Sequence, residues 1–213
     1  MKIKKDLWFS LSMLAAFMLW TILISVVDVQ PIGPWESFVG FATLNGLFHQ
    51  LTGVHMSLYH ITDWLGLVPV VFGFGFAILG LVQWVKRRHI LKVDHSILAL
   101  GGYYIIVLAA YLLFEEIVIN YRPVLIAGFL EASYPSSTTL LVLCVMPTAV
   151  TQLNTRIKNI CLRRIVSWSI RAFSAFMVIG RLISGVHWLT DIVGGILLSI
   201  SLASLYRFVS KLH

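Results

Sequence analysis

Charge is scarce in this chain. Charged residues make up 12% of its 213 residues, about half the share of an ordinary soluble domain, whereas hydrophobic residues make up 59%. So little polar surface cannot cover a water-facing globule, which excludes a soluble domain and indicates lipid as the solvent. The basic residues exceed the acidic ones by 16 to 9. They stand between apolar runs and form no continuous stripe, so we expect no nucleic-acid partner.

Cysteine is scarce as well. Cys144 lies in an apolar run and Cys161 in a basic loop, and two such residues do not make a disulfide framework. No repeat or low-complexity segment divides the chain, so we expect one domain over residues 1–213. The first apolar run, 7–27, follows a basic start as a signal peptide does. It is too long for a typical signal core and no small-x-small cleavage site follows it, so we interpret it as a retained span.

Long apolar runs are abundant. A helix needs roughly 20 mostly apolar residues to cross a bilayer. Six runs predict an all-α integral membrane bundle of six transmembrane helices, at approximately 7–27, 65–85, 97–119, 136–153, 165–184 and 189–208. The segment 28–64 mixes polar residues and prolines with apolar ones. It is too polar to span and too apolar for a free loop, so we expect short interfacial helices there.

The basic residues predict the orientation of the bundle, because Lys and Arg concentrate in cytoplasmic loops. Fourteen of the 16 lie on one side. Thirteen of them are in the two terminal segments and in the second and fourth inter-span loops, and the fourteenth is Arg171, whose long side chain can snorkel to that side. Both termini are therefore expected in the cytoplasm. The two exceptions, Arg122 and Arg181, fall at the outer ends of the third and fifth spans.

Three short polar segments meet at the outer face in this topology. They end the third span, begin the fourth, and join the fifth to the sixth. Their polar residues are Arg122 in the first segment, Ser136, Ser137 and Thr138 in the second, and Arg181, His187 and Asp191 in the third.

These residue types suit phosphate chemistry. The guanidinium groups of Arg122 and Arg181 match phosphate oxygens and stay charged at physiological pH. Pro135 followed by hydroxyl residues is typical of a helix start, whose free N–H groups and dipole bind anions. His187 and Asp191 are four residues apart and share one helical face, so the carboxylate can orient the imidazole and stabilise its cation. The pattern predicts phosphoryl transfer by covalent catalysis.

The three segments resemble the motifs of the type 2 phosphatidic-acid phosphatase superfamily of membrane lipid phosphatases. The third family motif is Ser-Arg, five residues, His, three residues, Asp, and it is matched by Arg181, His187 and Asp191. The first and second motifs retain Arg122-Pro123 and Pro135-Ser136. The departures from the pattern are Glu115 at the family's Lys position, Ser137 at its Gly, Thr138 at its His and Gly180 at its Ser.

The resemblance implies a six-helix lipid phosphatase without a cofactor. It implies that His187 attacks phosphorus to form phosphohistidine and that Asp191 orients it. The phosphate is then held by Arg122, Arg181, Ser136, Ser137 and Thr138. We expect no metal, because the loose cluster of His49, His55 and His60 has spacings of six and five, which do not share one helical face.

The substrate is expected to be a lipid phosphate among the membrane lipids. Thr138 is a poor acid, and a departing phosphate needs no proton, whereas a lipid alkoxide does. This favours a polyprenyl pyrophosphate, such as the undecaprenyl carrier of bacterial wall synthesis. Two alternatives are a phosphotransferase, in which Glu115 or Glu116 helps to activate the acceptor, and an inactive relative that binds, senses or moves lipid phosphates. Glu115 and Glu116 are also placed so that either can form an ion pair with Arg122 or Arg181.

Overall fold

The computed structural model describes residues 2–211, with side chains from Lys4 onward, and within this range the chain is all-helical with no sheet. The eight α-helices are α1 Lys2–Val26, α2 Ala42–Thr52, α3 Met56–Leu65, α4 Leu67–Arg87, α5 His95–Glu116, α6 Ser137–Arg156, α7 Ile160–Ile183 and α8 Leu189–Val209. Six stretches are long and apolar enough to cross a membrane, which confirms the predicted bundle: Lys4–Val26, Met56–Arg87, His95–Glu116, Ser137–Arg156, Ile160–Ile183 and Leu189–Val209.

Two spans begin at least five residues earlier than the sequence predicted. The second begins at Met56 rather than 65, because Gly66 keeps right-handed helical angles (φ −59°, ψ −18°) and α3 runs on into α4. The fifth begins at Ile160 rather than 165, because the Asn159 side chain accepts a hydrogen bond from the Leu162 N–H at 3.0 Å and caps the helix. Arg171 therefore lies about three turns into α7.

Helices α6 and α8 form the centre of the bundle. Helix α8 packs between α1 and α6, and α6 also contacts α4, α5 and α7. An aromatic cluster lies near one end of this core, where the Phe17 ring is 5.6 Å from that of Phe114 and 6.1 Å from that of Tyr134. The Tyr134 hydroxyl also lies 2.7 Å from Thr21 Oγ1. These contacts fix the segment that leads into α6 against α1 and α5.

The chain begins and ends at the same end of the bundle, which we call the terminal end. Asp6 in the first turns of α1 and Lys211 just after α8 form an ion pair of 2.6 Å. Asp94, which begins α5, pairs with Arg87 at 3.0 Å and lies 3.9 Å from Arg156 at the end of α6. The loops at the opposite end, which we call the site end, hold all three polar segments.

Helix α3 lies at the site end and packs closely against α7. Gly180 permits this approach, because a Cβ at that position would lie only 2.8 Å from Thr62 Cγ2. The family that the sequence resembles has Ser at the position of Gly180. Here a serine side chain would clash with α3, which gives a steric reason for the glycine. The close packing brings the side chains of α3 onto the last turn of α7.

Candidate active site

The loop between α5 and α6 folds back on itself as a short hairpin. The Arg122 N–H donates to the Glu131 carbonyl at 3.0 Å, and the Ser133 N–H donates to the Asn120 carbonyl at 2.9 Å. These bonds place residues nine and 13 positions apart in sequence side by side. The first two polar segments therefore lie together above the N-terminus of α6.

The five-residue turn between α7 and α8 is held against the segment that joins α2 to α3. Gly185 has φ +69°, and a Cβ there would lie 2.1 Å from the Gly53 carbonyl oxygen, so only glycine fits. The His55 N–H donates to the Ser184 carbonyl at 2.9 Å, and His49 Nε2 lies 3.1 Å from the Gly185 carbonyl oxygen. The turn presents His187 to the hairpin.

The histidines suspected of forming a loose cluster serve other contacts. The His55 ring nitrogen Nε2 lies 2.9 Å from the Thr52 carbonyl oxygen, and the His60 ring lies 5.2 Å from that of Tyr59. Over residues 2–211, no group of three or more His, Cys, Asp or Glu residues is arranged to hold a metal ion. Cys144 and Cys161 are both free thiols.

His187 is connected to Asp191 through a serine hydroxyl. The Ser133 hydroxyl donates to Asp191 Oδ2 at 2.5 Å and lies 3.0 Å from His187 Nδ1. The direct distance from His187 Nδ1 to Asp191 Oδ2 is 3.9 Å, which is too long for a hydrogen bond. Because the only hydroxyl proton of Ser133 goes to the carboxylate, the network assigns the Nδ1 proton to the imidazole. The Nε2 lone pair is then left free.

Asp191 is fully buried and held by donors. Besides Ser133, its carboxylate accepts from the Trp188 N–H at 2.9 Å and from Asn120 Nδ2 at 3.3 Å. Its own carbonyl accepts from the Ser136 N–H at 3.1 Å. Asp191 thus joins the hairpin and the α7–α8 turn through its carboxylate and the start of α6 through its carbonyl, so the three sequence segments meet at one residue.

The two arginines both lie near one tyrosine ring. The guanidinium carbons of Arg181 and Arg122 lie 4.9 Å and 6.0 Å from the centroid of the Tyr59 ring. Both side chains are buried, and each lies near a carboxylate: Arg181 Nη2 is 3.3 Å from Asp63 Oδ1, and Arg122 Nε is 3.1 Å from Glu131 Oε2. Asp63 and Glu131 are themselves about half exposed, so these carboxylates can rotate away when another anion binds.

Burial and the arginines also affect His187. Desolvation, and then the positive charges of Arg122 and Arg181, hold the pKa of the His187 imidazole well below its usual value, while a hydrogen bond with the Ser133 backbone opposes this shift. The imidazole is therefore neutral at neutral pH. A neutral imidazole with an unpartnered Nε2 lone pair can act as a nucleophile.

The start of α6 supplies further groups. Ser136 is buried and its Oγ has no hydrogen-bond partner, but its N–H is taken by the Asp191 carbonyl. The free N–H groups of this helix start are therefore those of residues 137–139. The Ser137 side chain lines a small cleft beside Glu115, and Thr138 is half-buried. Thr139, which the sequence did not single out, also has a buried Oγ1 without a partner.

The unsatisfied polar atoms of the molecule concentrate in this site. Among the described residues, seven buried side-chain nitrogen or oxygen atoms have no hydrogen-bond partner, and five of them belong to Arg122, Ser136, Arg181 and His187. One of these five, Arg122 Nε, has the ion pair with Glu131 instead, so four of them lack any polar partner. Leaving such groups without partners costs about 1–3 kcal/mol each, so folded proteins rarely do so without reason. An anion with several acceptor oxygens would satisfy the arginine donors together.

Sequence reasoning missed several residues of this site. Ser133, Glu131 and the α3 pair Tyr59 and Asp63 were not singled out. Tyr59 and Asp63 are four residues apart on an apolar helix, which signals a shared face, but nothing in the sequence indicates which helix that face meets. The sequence also suggested that Glu115 or Glu116 pairs with an arginine of the site. Among the described residues, Glu131 pairs with Arg122 and Asp63 pairs with Arg181, whereas Glu115 forms no ion pair.

The comparisons with known proteins agree with this architecture. The crystal structure of the first transmembrane PAP2 type phosphatidylglycerolphosphate phosphatase from Bacillus subtilis is similar, with a TM-score of 0.66, 15% sequence identity and 94% of each chain covered. Among curated protein sequences no significant match is found. The family model of the PAP2 superfamily matches residues 94–212, which is more than half of the chain and includes all seven predicted site residues. The chain is a multi-pass membrane protein that belongs to the PAP2 superfamily.

Proposed function

We propose that this protein is a lipid phosphatase that removes phosphate from a lipid phosphate or a polyprenyl pyrophosphate through a phosphohistidine intermediate. The observation that carries the proposal is the environment of His187. Its Nε2 is buried and unpartnered, its Nδ1 is held by Ser133, and two buried arginines lie close enough to depress its pKa. Few structural roles require a neutral imidazole beside two cations.

In the first step, the Nε2 lone pair of His187 forms a bond to phosphorus, and the bond from phosphorus to the leaving oxygen breaks. The electron pair of that bond leaves with the oxygen. The imidazole becomes a cation, whose Nδ1 proton stays directed at Ser133 and whose charge is balanced through that hydroxyl by Asp191. The cation is thus stabilised where it forms.

The phosphate oxygens are held throughout by Arg122, Arg181 and the free N–H groups at the start of α6. In the second step, water attacks phosphorus and gives up a proton to solvent or to phosphate, and the nitrogen–phosphorus bond breaks. His187 returns to its neutral form and inorganic phosphate leaves. Because donors converge on the position where negative charge develops, electrostatic stabilisation supplies much of the rate.

The leaving group decides the substrate class. Thr138 stands where the family has a histidine that protonates the leaving oxygen, and a threonine hydroxyl does not serve as an acid near neutral pH. A lipid pyrophosphate avoids this need, because its leaving group is a phosphate with a second pKa near 6. We therefore propose a pyrophosphate-bearing polyprenyl lipid, of the undecaprenyl kind, as the preferred substrate.

The proposed orientation places the terminal end in the cytoplasm and the site end at the outer leaflet. Its support is the sequence distribution of Lys and Arg, of which 14 of 16 belong to the terminal half of the bundle. We propose that residues 1–213 act as a single domain in this orientation. A lipid phosphate in the outer leaflet would then reach His187 laterally from the membrane.

Phosphate release by the purified protein tests the proposal. The substrates are a polyprenyl pyrophosphate, a polyprenyl monophosphate and phosphatidic acid, each with and without a lipid alcohol as acceptor, and His187→Ala is the matched control. Release in water alone, lost in the control, supports a phosphatase. Release that depends on the acceptor would identify a phosphotransferase, and binding of all three lipids without turnover would identify an inactive binding protein.

A further inference from the structure

A second concave site lies on the half of the bundle away from His187. Helices α7 and α8 diverge there over α6 and leave a groove of about 720 Å³. This volume lies within the range of about 300–1,000 Å³ that is typical of small-molecule sites. The walls include Val178 and Ile179 from α7 and Ile200 and Ala203 from α8. Because these helices face the membrane, the groove is open to lipid.

The polar lining of the groove has one sign of charge. Arg171 from α7 and Arg207 from α8 both line it, together with several hydroxyl groups, whereas no carboxylate and no histidine does. Among the described residues neither arginine takes part in an ion pair. Arg207 interacts at longer range with the Asp6 carboxylate, whereas no carboxylate of the groove lies beside Arg171.

Arg171 lies close to the middle of its span. It is the twelfth residue of the 24 in α7, so about 16 Å of helix precede it and about 18 Å follow it. Its guanidinium carbon lies 5.4 Å from the centroid of the Trp168 ring, which directs the side chain toward the terminal end. A cation at this depth is costly in lipid, and such residues usually mark a ligand or a transport path.

Arg207 lies nearer to the membrane surface. It is two residues before the end of α8, and its Nη2 donates to Ser204 Oγ at 2.8 Å. A guanidinium has five N–H donors, so this single bond leaves most of its capacity for a ligand. The groove therefore offers an apolar channel with one cation at its surface end and one farther inside.

We propose that this groove binds an anionic phospholipid from the leaflet at the terminal end. One acyl chain lies along the apolar walls, and the phosphate lies between Arg171 and Arg207. A free phosphate would leave the walls unused, and a neutral apolar molecule would leave the two arginines of the groove without an anion between them. The site is separate from the one at His187, so its occupation does not depend on the proposed catalytic function.

Lipid binding to the purified protein in detergent micelles tests this site. The probes are dioleoylphosphatidylglycerol and dioleoylphosphatidylcholine, which share their acyl chains, and inorganic phosphate. Retained lipid is counted by native mass spectrometry, and the unfolding temperature is followed as each probe is added. The variants are Arg171→Gln, which removes a charge, and Ala175→Phe, which fills the groove. The control is Arg164→Gln, an exposed arginine of the same helix that does not line the groove.

We expect the phosphatidylglycerol to bind more tightly than the phosphatidylcholine and to raise the unfolding temperature more. Arg171→Gln should weaken that binding about tenfold or more, since a hydrogen bond to a charged group contributes about 1.5–3 kcal/mol. Ala175→Phe should weaken it as well, and Arg164→Gln should not. Equal binding of the two lipids, equal effects of the two arginine variants, or competition by inorganic phosphate alone would each overturn the proposal. If the protein is a dimer and Ala175→Phe dissociates it without loss of lipid, the groove is an interface with a second copy of the chain. That result would also overturn the proposal.

Discussion

Replacing Ser133 with alanine removes the hydroxyl that lies between His187 and Asp191. In the variant the Nδ1–H of the imidazole loses the hydroxyl acceptor and keeps only the backbone of residue 133, because the nearest oxygen of Asp191 is 3.9 Å away. The carboxylate loses one of its three side-chain or backbone donors at the same time. The variant therefore tests whether the serine, rather than direct contact, couples the carboxylate to the imidazole.

The expected loss follows from the cost of an unsatisfied buried polar group, about 1–3 kcal/mol. If that cost falls on the transition state, where the imidazole is a cation, kcat should fall by about 5- to 150-fold. The KM should change little, because Ser133 does not contact the phosphate. Ser133→Thr keeps a hydroxyl at the same position and should recover much of the lost rate.

The assay is steady-state phosphate release from a lipid pyrophosphate, with the unfolding temperature measured in parallel. Ser201→Ala is the control, since this buried serine donates to the Ser10 carbonyl and is not bonded to His187. A kcat for Ser133→Ala within about threefold of wild type, well below the range expected for an unsatisfied group, would refute the coupling. An equally large loss in the threonine variant with an unchanged unfolding temperature would also refute it.

The remaining predictions concern the arginines, the pH dependence and the leaving group. Arg122→Lys and Arg181→Lys should each lower kcat/KM by about 10²–10³, because an ammonium cannot replace a bidentate fork, and a change below about threefold would reduce them to interfacial anchors. Because the pKa of His187 is lowered in the folded state, kcat/KM should stay level from pH 8 to about 6.5 and fall only at lower pH. The unfolding temperature should also fall as the pH is lowered past about 6.5, because the histidine binds a proton in the unfolded chain but not in the folded one. His187→Ala should make this fall smaller. Thr138→His should raise the rate on lipid monophosphates but not on pyrophosphates, most strongly below about pH 6.5, and equal wild-type rates on both classes would contradict the missing-acid argument.

The sequence predicts the spans well because bilayer thickness fixes the length and polarity of each one. Antiparallel helices joined by short loops then bring the segments of Arg122, Ser136 and His187 to one end. That much follows from hydropathy and chain order alone. The continuation of α3 into α4 does not, because a glycine such as Gly66 ends some helices and is tolerated within others.

The partners of the predicted residues depend on tertiary packing that no local pattern signals. Ser133 reaches His187 only because the hairpin pairs its backbone with Asn120. Asp63 reaches Arg181 only because Gly180 lets α3 approach α7. In both cases the decisive contact is between a side chain and a distant element, so the sequence predicts the reactive groups but not the groups that hold them.

Covalent labelling of the enzyme during turnover tests the central claim most directly. The purified protein is mixed with a lipid pyrophosphate radiolabelled in its terminal phosphate, quenched in alkali within milliseconds, digested and mapped. The account predicts label on the peptide that contains His187, at a level that rises to a steady state, and none in His187→Ala. Label on a different residue, or label undiminished in His187→Ala, would contradict it.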